Sequence, residues 1–210
     1  MAGMVDEYIK RHSSPLPEAL EWLERETHLR TNHGRMLSGP ILGRLLITFS
    51  KMISPMRILE IGTFTGYSAI CLAQGLNEGG VLDTVETNDE LAGLIVEGFR
   101  RAGLGGKINL HIGAAADIIP TIESMYDLVY IDGNKREYCC YYDLIFDKVA
   151  KGGYILADNV LWSGKLTEDP LPQDAQTQEL VRFNNMVAND PRVECFILPL
   201  RDGLNIIRKR

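Results

Sequence analysis

The sequence is poor in the residues that build disulfide and zinc scaffolds. Its 210 residues include only 4 cysteines and 4 histidines, with the cysteines at positions 71, 139, 140 and 195. No two cysteines form a C-x-x-C pair, and the adjacent Cys139 and Cys140 are poorly placed to bridge each other. This usage argues against a disulfide-stapled scaffold and a cysteine-based zinc module. It favours a reducing compartment, for which we expect the cytoplasm.

Positive charge and long apolar runs are also scarce. The chain has 22 Lys and Arg against 28 Asp and Glu, a net charge of -6, whereas a nucleic-acid surface normally needs a basic patch. Only residues 208–210 are locally basic, which is typical of a solvated tail. No run approaches the roughly 18 apolar residues of a membrane span, and the polar N-terminus lacks a signal-peptide pattern. We therefore expect neither a nucleic-acid partner nor a membrane partner.

The chain does contain a regular alternation of short apolar runs and helical patterns. Its length is typical of one domain, which we take as residues 1–210. The apolar runs predict seven strands, at 57–61, 81–85, 108–112, 126–131, 153–157, 193–198 and 204–208. This alternation is typical of an α/β fold with a Rossmann-like, mostly parallel seven-stranded sheet and helices on both faces. Only residues 199–203 separate the last two strands, so we expect these two to pair as a hairpin with the last strand antiparallel.

Helical patterns fill most of the intervals between the strands. They predict helices at 88–102, 135–150 and 175–189, each ending near a glycine or a proline. Before the first strand, residues 17–29 and 35–52 predict two amphipathic helices. We expect residues 1–50 to pack onto the sheet, where they cover the site or form a dimer contact.

The most informative segment is residues 57–68, RILEIGTFTGYS, which predicts a strand, a glycine turn and the start of a helix. Gly62 and Gly66 carry no Cβ, so the backbone N–H groups of the turn can approach a ligand closely. About 20 residues later a second strand ends in Glu86, and an acidic residue in that position holds ribose hydroxyls in Rossmann-like folds. We therefore predict an adenosine-containing ligand.

The spacing of the turn bears on which adenosine-containing ligand fits. Gly62-x-x-x-Gly66 is not the G-x-G-x-x-G of dinucleotide binders, and the side chains of residues 63–65 would crowd a pyrophosphate. Glu60 would repel a pyrophosphate, whereas it would attract an ammonium group. These features favour S-adenosylmethionine over NAD. An NAD-dependent oxidoreductase and a merely structural junction stay open as alternatives.

Polar residues also follow two later strands of the predicted sheet. Asp132 follows the run 126–131, and Asp158 with Asn159 follows the run 154–157. Ligands of open α/β sheets bind outside the carboxyl ends of the strands, so these side chains would meet at one edge. Oxygen-only ligands suit a hard divalent cation, Mg²⁺ or else Mn²⁺ or Ca²⁺. Taken singly, such residues are often only turn formers or helix caps.

Lys135 lies three residues after Asp132, on a loop that opens into a helix. A nearby cation would disfavour the protonated amine, which would make Lys135 a usable general base near neutral pH. Without a metal at this edge, Lys135 would be an ordinary solvated lysine.

The chain resembles the cation-dependent, class I S-adenosylmethionine O-methyltransferases, the group of catechol and caffeoyl-coenzyme A O-methyltransferases, and especially the small bacterial members. The matching stretches are residues 58–68, 126–135, 157–162 and 198–204, and the resemblance runs from about residue 25 to the C-terminus. One departure is Arg201, which stands where the family pattern leads us to expect glycine. A second is the lack of a match, near residues 182–184, to the late glutamate with which the animal catechol enzymes hold the second hydroxyl.

The resemblance implies a role for each matching residue. The cofactor-binding residues would be Leu37, Glu60, Gly62, Phe64, Gly66, Ser68, Glu86, Ala114, Ala115 and Asp132. The metal ligands would be Asp132, Asp158 and Asn159. Lys135 and Asp132 would be the catalytic residues, and Trp162 with Lys135 would contact the substrate.

The expected activity is divalent-cation-dependent transfer of a methyl group from S-adenosylmethionine to a hydroxyl of a catechol-like small molecule. Relatives of this kind are commonly dimers, so we expect a homodimer. A non-catalytic module that senses an adenosine ligand is a further alternative, although a sensor would need neither the metal set nor Lys135.

Overall fold

Seven strands form one sheet in this computed structural model, which describes residues 7–9 and 11–210. The strands are β1 (Arg57–Ile61), β2 (Val81–Glu86), β3 (Ile108–Ile112), β4 (Tyr126–Ile131), β5 (Val149–Asp158), β6 (Val193–Leu198) and β7 (Leu204–Lys209). Their order across the sheet is β3-β2-β1-β4-β5-β7-β6. Strands β1 to β5 pair in parallel, and β7 is antiparallel to both β5 and β6. The predicted Rossmann-like sheet is confirmed, including its antiparallel last strand.

The α-helices that flank the sheet are α1 (Glu18–Arg30), α2 (Gly39–Ile53), α3 (Tyr67–Ala73), α4 (Ala92–Arg101), α5 (Ala115–Ile118), α6 (Tyr138–Phe146) and α7 (Ala175–Ala188). Short 3₁₀ turns lie at Gly34–Met36, Asp89–Leu91, Ile119–Thr121, Lys135–Glu137 and Trp162–Thr167. Asn88 caps the helical segment after β2, because its side chain accepts a hydrogen bond from Glu90 N (3.1 Å).

Each face of the sheet has its own apolar core, because alternate residues of a strand point to opposite faces. Ile58 and Leu128 face a core built with α1, α2, α3 and α4. Leu59 and Val129 face a second core built with α5, α6 and α7. The N-terminal helices therefore pack onto the same sheet as the rest of the chain.

Two of the predicted helices have the wrong extent. The helix predicted over 135–150 ends at Phe146, and β5 already begins at Val149, which pairs with Tyr126 through a register shift. Gly152 and Gly153 therefore lie within an irregular strand and do not end a helix. The helix predicted over 35–52 begins only at Gly39, because Pro40 lacks an N–H group and fits only the first turn.

One stretch, Gly34–Ile53, is long and apolar enough to cross a membrane by length and composition alone. It contains α2, which buries Leu42, Leu46 and Ile47 in the first core. Core helices commonly share this length and composition, and we interpret α2 as one of them.

The order of the strands reverses between β1 and β4, since the chain moves outward through β2 and β3 and then returns to β4. Open α/β sheets bind ligands at such a switch point, beyond the carboxyl ends of the strands.

Candidate active site

A cavity of about 1060 Å³ opens at the carboxyl ends of β1, β2, β4 and β5. Most of the predicted site residues line it: Leu37, Gly62, Phe64, Ser68, Glu86, Ala114, Ala115, Asp132, Lys135, Asp158, Asn159 and Trp162. Glu60 and Gly66 are outside this lining. Its volume suits a ligand of cofactor size together with a second small molecule.

The glycine turn is pressed against the backbone that follows β4. Gly62 has a φ of 99°, and a Cβ added there would lie 2.5 Å from the carbonyl oxygen of Asp132. Only glycine fits this approach, which brings the turn and Asp132 together. Gly66, with a φ of 96°, allows close packing against α4, because a Cβ there would lie 2.8 Å from the Phe99 ring.

The backbone holds the Glu86 carboxylate at the rim of the cavity. Phe64 N donates to its Oε2 (2.7 Å) and Asn88 N donates to its Oε1 (2.9 Å). Each carboxylate oxygen keeps further acceptor capacity, so Glu86 is oriented and still able to accept hydrogen bonds from a ligand's hydroxyls.

Glu60 lies fully buried behind Ile61 and Gly62, which line the cavity. Its Oε2 accepts a hydrogen bond from Thr84 Oγ1 (2.5 Å), and the Thr84 hydroxyl in turn lies 2.5 Å from that of Thr63. Its Oε1 is buried and has no hydrogen-bond partner among the residues that the structure describes. Burial raises the pKa of Glu60 to about 8. Direct contact of Glu60 with a cofactor stays a prediction.

Asp132, Asp158 and Asn159 converge on the cavity as expected from the ends of β4 and β5. Asp158 is only 2% exposed, and its two oxygens accept hydrogen bonds from Asn159 N (2.9 Å) and Tyr130 Oη (3.1 Å). Burial and then repulsion by the Asp132 carboxylate raise the pKa of Asp158 to about 6. The Asp132 carboxylate thus lies close enough to destabilise the charged form of Asp158.

This donor set fits a hard cation. Two carboxylates and the Asn159 amide are oxygen ligands, and a divalent ion would relieve the repulsion between Asp132 and Asp158. Among residues 7–9 and 11–210, no group of three or more His, Cys, Asp or Glu side chains is placed to hold a metal. Zinc sites are usually built from His and Cys ligands, so this oxygen-only set fits Mg²⁺ better than it fits zinc.

Lys135 is fixed within a short hydrogen-bond chain. Its Nζ lies 2.7 Å from Asp132 Oδ1 and donates to Tyr138 Oη at 2.6 Å. Tyr138 Oη in turn donates to the backbone carbonyl of Asp158 (2.8 Å). The Lys135 side chain is 11% exposed, so the amine is held at the cavity wall and is not a solvated lysine.

Trp162 lies on a loop with an unusual backbone. Asn159, Trp162 and Ser163 have φ values of 59°, 48° and 56°, which non-glycine residues rarely adopt. Asp202 of the β6–β7 turn fixes this loop, since its carboxylate accepts from Ser163 N and its carbonyl oxygen accepts from Leu161 N (2.8 Å). Backbone strain of this kind concentrates at functional sites.

Tyr138 and Arg201 belong to the site but were not among the predicted site residues. Tyr138 is fully buried, and its spacing of three residues from Lys135 on a helical turn was the available signal. Arg201 lines the cavity and reaches the carbonyl oxygens of Leu37 and Ser38. No local pattern predicts that contact, which spans more than 160 residues of sequence.

Comparison with known proteins identifies the family and the fold. The model of the O-methyltransferase family matches residues 10–210. Caffeoyl-CoA O-methyltransferase 1 of Arabidopsis thaliana is 30% identical over 92% of this chain and 78% of its own. The Streptomyces achromogenes O-methyltransferase TomG, solved with SAM, superposes with a TM-score of 0.92 at 29% identity, covering 98% of this chain and 96% of its own. A Bacillus cereus O-methyltransferase solved with SAH gives a TM-score of 0.91 at 27% identity, covering 99% and 97%. The chain therefore belongs to the O-methyltransferase family.

Proposed function

We propose that this enzyme transfers a methyl group from S-adenosylmethionine to one hydroxyl of a small aromatic vicinal diol, with the help of a divalent cation. The observation that carries the proposal is that one cavity is lined by two groups of residues. The first group is the glycine turn with Glu86, and the second is Asp132, Asp158 and Asn159 beside Lys135. Caffeoyl-CoA, the substrate named for the plant relatives, carries such a diol.

The cofactor half would use the residues around the glycine turn. Glu86, whose carboxylate is already oriented by two backbone amides, would accept hydrogen bonds from the ribose hydroxyls. Gly62 would let the backbone approach the methionine portion, with Ser68 beside it. Leu37 would cover the cofactor from the N-terminal side, and Ala114 and Ala115 would border the adenine. S-adenosylmethionine, when bound there, supplies a methyl group carried on a positively charged sulfur.

The acceptor half would be built on the oxygen ligands. Asp132, Asp158 and Asn159 would hold Mg²⁺, or Mn²⁺ or Ca²⁺. A divalent cation at this site lowers the pKa of a hydroxyl group bound to it. The aromatic face of Trp162 would form one wall of the acceptor pocket and help to exclude water.

Lys135 is the residue placed to take the proton from the acceptor hydroxyl. Lys135 Nζ would accept the proton as the O–H bond of the acceptor breaks. The cofactor would supply the methyl group to that oxygen, and its sulfur would keep the electron pair of the S–C bond that breaks. Tyr138 and Asp132 fix the position of Nζ through bonds of 2.6 and 2.7 Å. Positioning of this kind supplies up to about 7–11 kcal/mol in favourable intramolecular cases.

A panel of matched acceptors tests the proposal. The purified enzyme would be incubated with labelled S-adenosylmethionine, Mg²⁺ and three aromatic acids of the same skeleton, with a vicinal diol, one hydroxyl or one methylated hydroxyl. We expect labelled product only from the diol. Equal transfer to the single-hydroxyl acid would contradict the vicinal-diol assignment, and no transfer to any acceptor would contradict the acceptor class as a whole.

The proposal includes a homodimer. Strand β6 lies at the edge of the sheet, and its Phe196 is 58% exposed, which is unusual for a large apolar side chain on a strand. The N-terminal helices are the other surface considered for this contact. Light scattering of the wild type and of Phe196→Asp decides between them, because only an interface through β6 predicts that the variant becomes monomeric. A monomeric wild type would contradict the dimer.

The cytoplasm is the proposed location. Cys71, Cys139, Cys140 and Cys195 are all free thiols in this structure, which supports a reducing compartment. Cell fractionation checks the assignment, and recovery of the protein outside the cytoplasmic fraction would contradict it.

A further inference from the structure

The turn between β6 and β7 carries an arginine where the backbone favours glycine. Arg201 has a φ of 52°, in the left-handed region, and the turn is closed by a hydrogen bond from Gly203 N to Leu200 O (2.9 Å). A side chain kept at such a position despite this preference calls for a compensating contact.

The compensating contact reaches the N-terminal side of the cavity. The guanidinium group of Arg201 donates one hydrogen bond to the carbonyl oxygen of Ser38 and another, of 3.2 Å, to that of Leu37. Leu37 and Ser38 end the short segment 35–38, which lines the cavity and which we call the mouth segment. Two N–H groups of one guanidinium thus hold two consecutive carbonyl groups.

Hydrogen bonds inside the mouth segment do not anchor it to the sheet. Leu37 N donates to Gly34 O (3.2 Å) and Met36 N donates to His33 O (2.8 Å), and both of these bonds are local. Arg201 ties the segment to a distant strand turn, and that turn also holds the Trp162 loop through Asp202. The β6–β7 turn therefore joins two separate segments that line the cavity.

We propose that Arg201 is a positioning residue that holds the mouth segment in the conformation that binds the adenosyl ligand. Leu37 and Ser38 are buried, so packing also holds the segment. Without the two hydrogen bonds it would be less ordered before binding, and the conformational entropy lost on binding would be subtracted from the affinity. The inference rests on the proposed use of S-adenosylmethionine and on neither the acceptor nor the metal.

Three substitutions separate the contact from the backbone strain. Arg201→Met removes the two hydrogen bonds and keeps a side chain at positive φ, whereas Arg201→Gly removes both the hydrogen bonds and the strain. Arg201→Lys restores a cation that can reach one carbonyl. Arg182→Met is the control, because Arg182 is an exposed arginine of α7 that pairs with Glu179, on the same helix, and is outside the lining of the cavity.

The first measurement is the affinity for S-adenosylhomocysteine by titration calorimetry, with melting temperature recorded alongside. We expect Arg201→Met and Arg201→Gly to bind the ligand about tenfold more weakly than the wild type, with the same loss in both variants. The melting temperature of Arg201→Gly should be higher than that of Arg201→Met, because glycine removes the backbone strain. Arg201→Lys should lie between them and the wild type, and Arg182→Met should match the wild type. Wild-type affinity in both Arg201→Met and Arg201→Gly would overturn the inference.

The second measurement is hydrogen exchange of the backbone amides of residues 34–38 in the ligand-free protein. Faster exchange in both variants is expected if Arg201 acts through the mouth segment. Weaker binding with unchanged exchange would mean that Arg201 touches the ligand itself, which also overturns the positioning role. A wild type that binds no adenosyl ligand would instead overturn the proposed function, and this inference with it.

Discussion

The Nζ atom of Lys135 lies 2.7 Å from Oδ1 of Asp132, so the proposed base is paired with a proposed metal ligand. The arrangement gives Asp132 two possible partners, the lysine ammonium or a cation. A cation bound to Asp132 would compete with the lysine ammonium for the same carboxylate. The pairing therefore links the metal set to the proton acceptor through a single residue.

Replacement of Lys135 by alanine should lower turnover by about 10²–10⁴, because Lys135 is the one lysine among the described residues that lines the cavity. Lys135→Arg is the sharper variant, since it keeps a positive charge near Asp132 but cannot act as a base at neutral pH. We expect both variants to lose turnover alike and to bind S-adenosylhomocysteine normally. A loss below about tenfold in both would reduce Lys135 to an orienting group.

Replacement of Tyr138 by phenylalanine tests the hydrogen-bond chain behind Lys135. The variant removes the hydroxyl that Lys135 contacts at 2.6 Å, and we expect turnover to fall roughly tenfold with a loss of about 1 kcal/mol in the free energy of unfolding. Tyr142→Phe is the matched control, because its buried ring makes a comparable bond to Asp190 (3.0 Å) away from the cavity. If both variants lose turnover equally, the effect comes from packing and not from Lys135.

The buried carboxyl of Glu60 predicts a pH dependence of stability. Burial raises its pKa from about 4.5 in the unfolded chain to about 8 in the folded protein. Between these values the folded state keeps a proton that the unfolded state has released, so the contribution of Glu60 to stability falls as pH rises from about 4.5 to about 8. Above that range the full cost, on the order of a few kcal/mol, is present.

Glu60→Gln removes this titration and keeps an oxygen that can accept the Thr84 hydrogen bond. The advantage of the variant over the wild type in urea unfolding should therefore grow between about pH 5 and about pH 9. The change with pH is the decisive quantity, since any packing difference gives a constant offset. A difference that stays constant over this range would contradict the assignment.

Gly62→Ala should destabilise the fold by about 3 kcal/mol or more, because the new Cβ would lie 2.5 Å from the backbone oxygen of Asp132. Gly79→Ala is the control for backbone strain alone, since Gly79 has a φ of 76° with open space around it, and it should cost about 1 kcal/mol. Chemical denaturation of both variants measures the difference. Equal losses would mean that the close approach to Asp132 has no energetic weight.

Short-range patterns of the sequence predict much of this architecture. Apolar runs bounded by turn residues located all seven strands, and residues at the ends of β1, β2, β4 and β5 line the cavity because parallel strands end at one edge. The family match also leaves no support for the two alternatives, an NAD-dependent oxidoreductase and a non-catalytic adenosine sensor.

Long-range contacts account for what the sequence did not predict. The complete burial of Glu60, the approach of Tyr138 to the Asp158 carbonyl and the reach of Arg201 to Ser38 all depend on how distant segments pack. The early start of β5 at Val149 has the same origin. A short apolar run is compatible with a helix or a strand, and here pairing with Tyr126 of β4 makes it a strand.

The most direct test of the account is methyl transfer to a catechol acceptor with Mg²⁺ and with chelator, in the wild type, Asp158→Ala and the exposed control Asp143→Ala. We predict that chelator stops the wild type and Asp143→Ala. Asp158→Ala should lack metal-stimulated turnover while it binds S-adenosylhomocysteine like the wild type. Transfer that proceeds equally with chelator, or metal-stimulated turnover that survives in Asp158→Ala, would contradict the metal site of Asp132, Asp158 and Asn159.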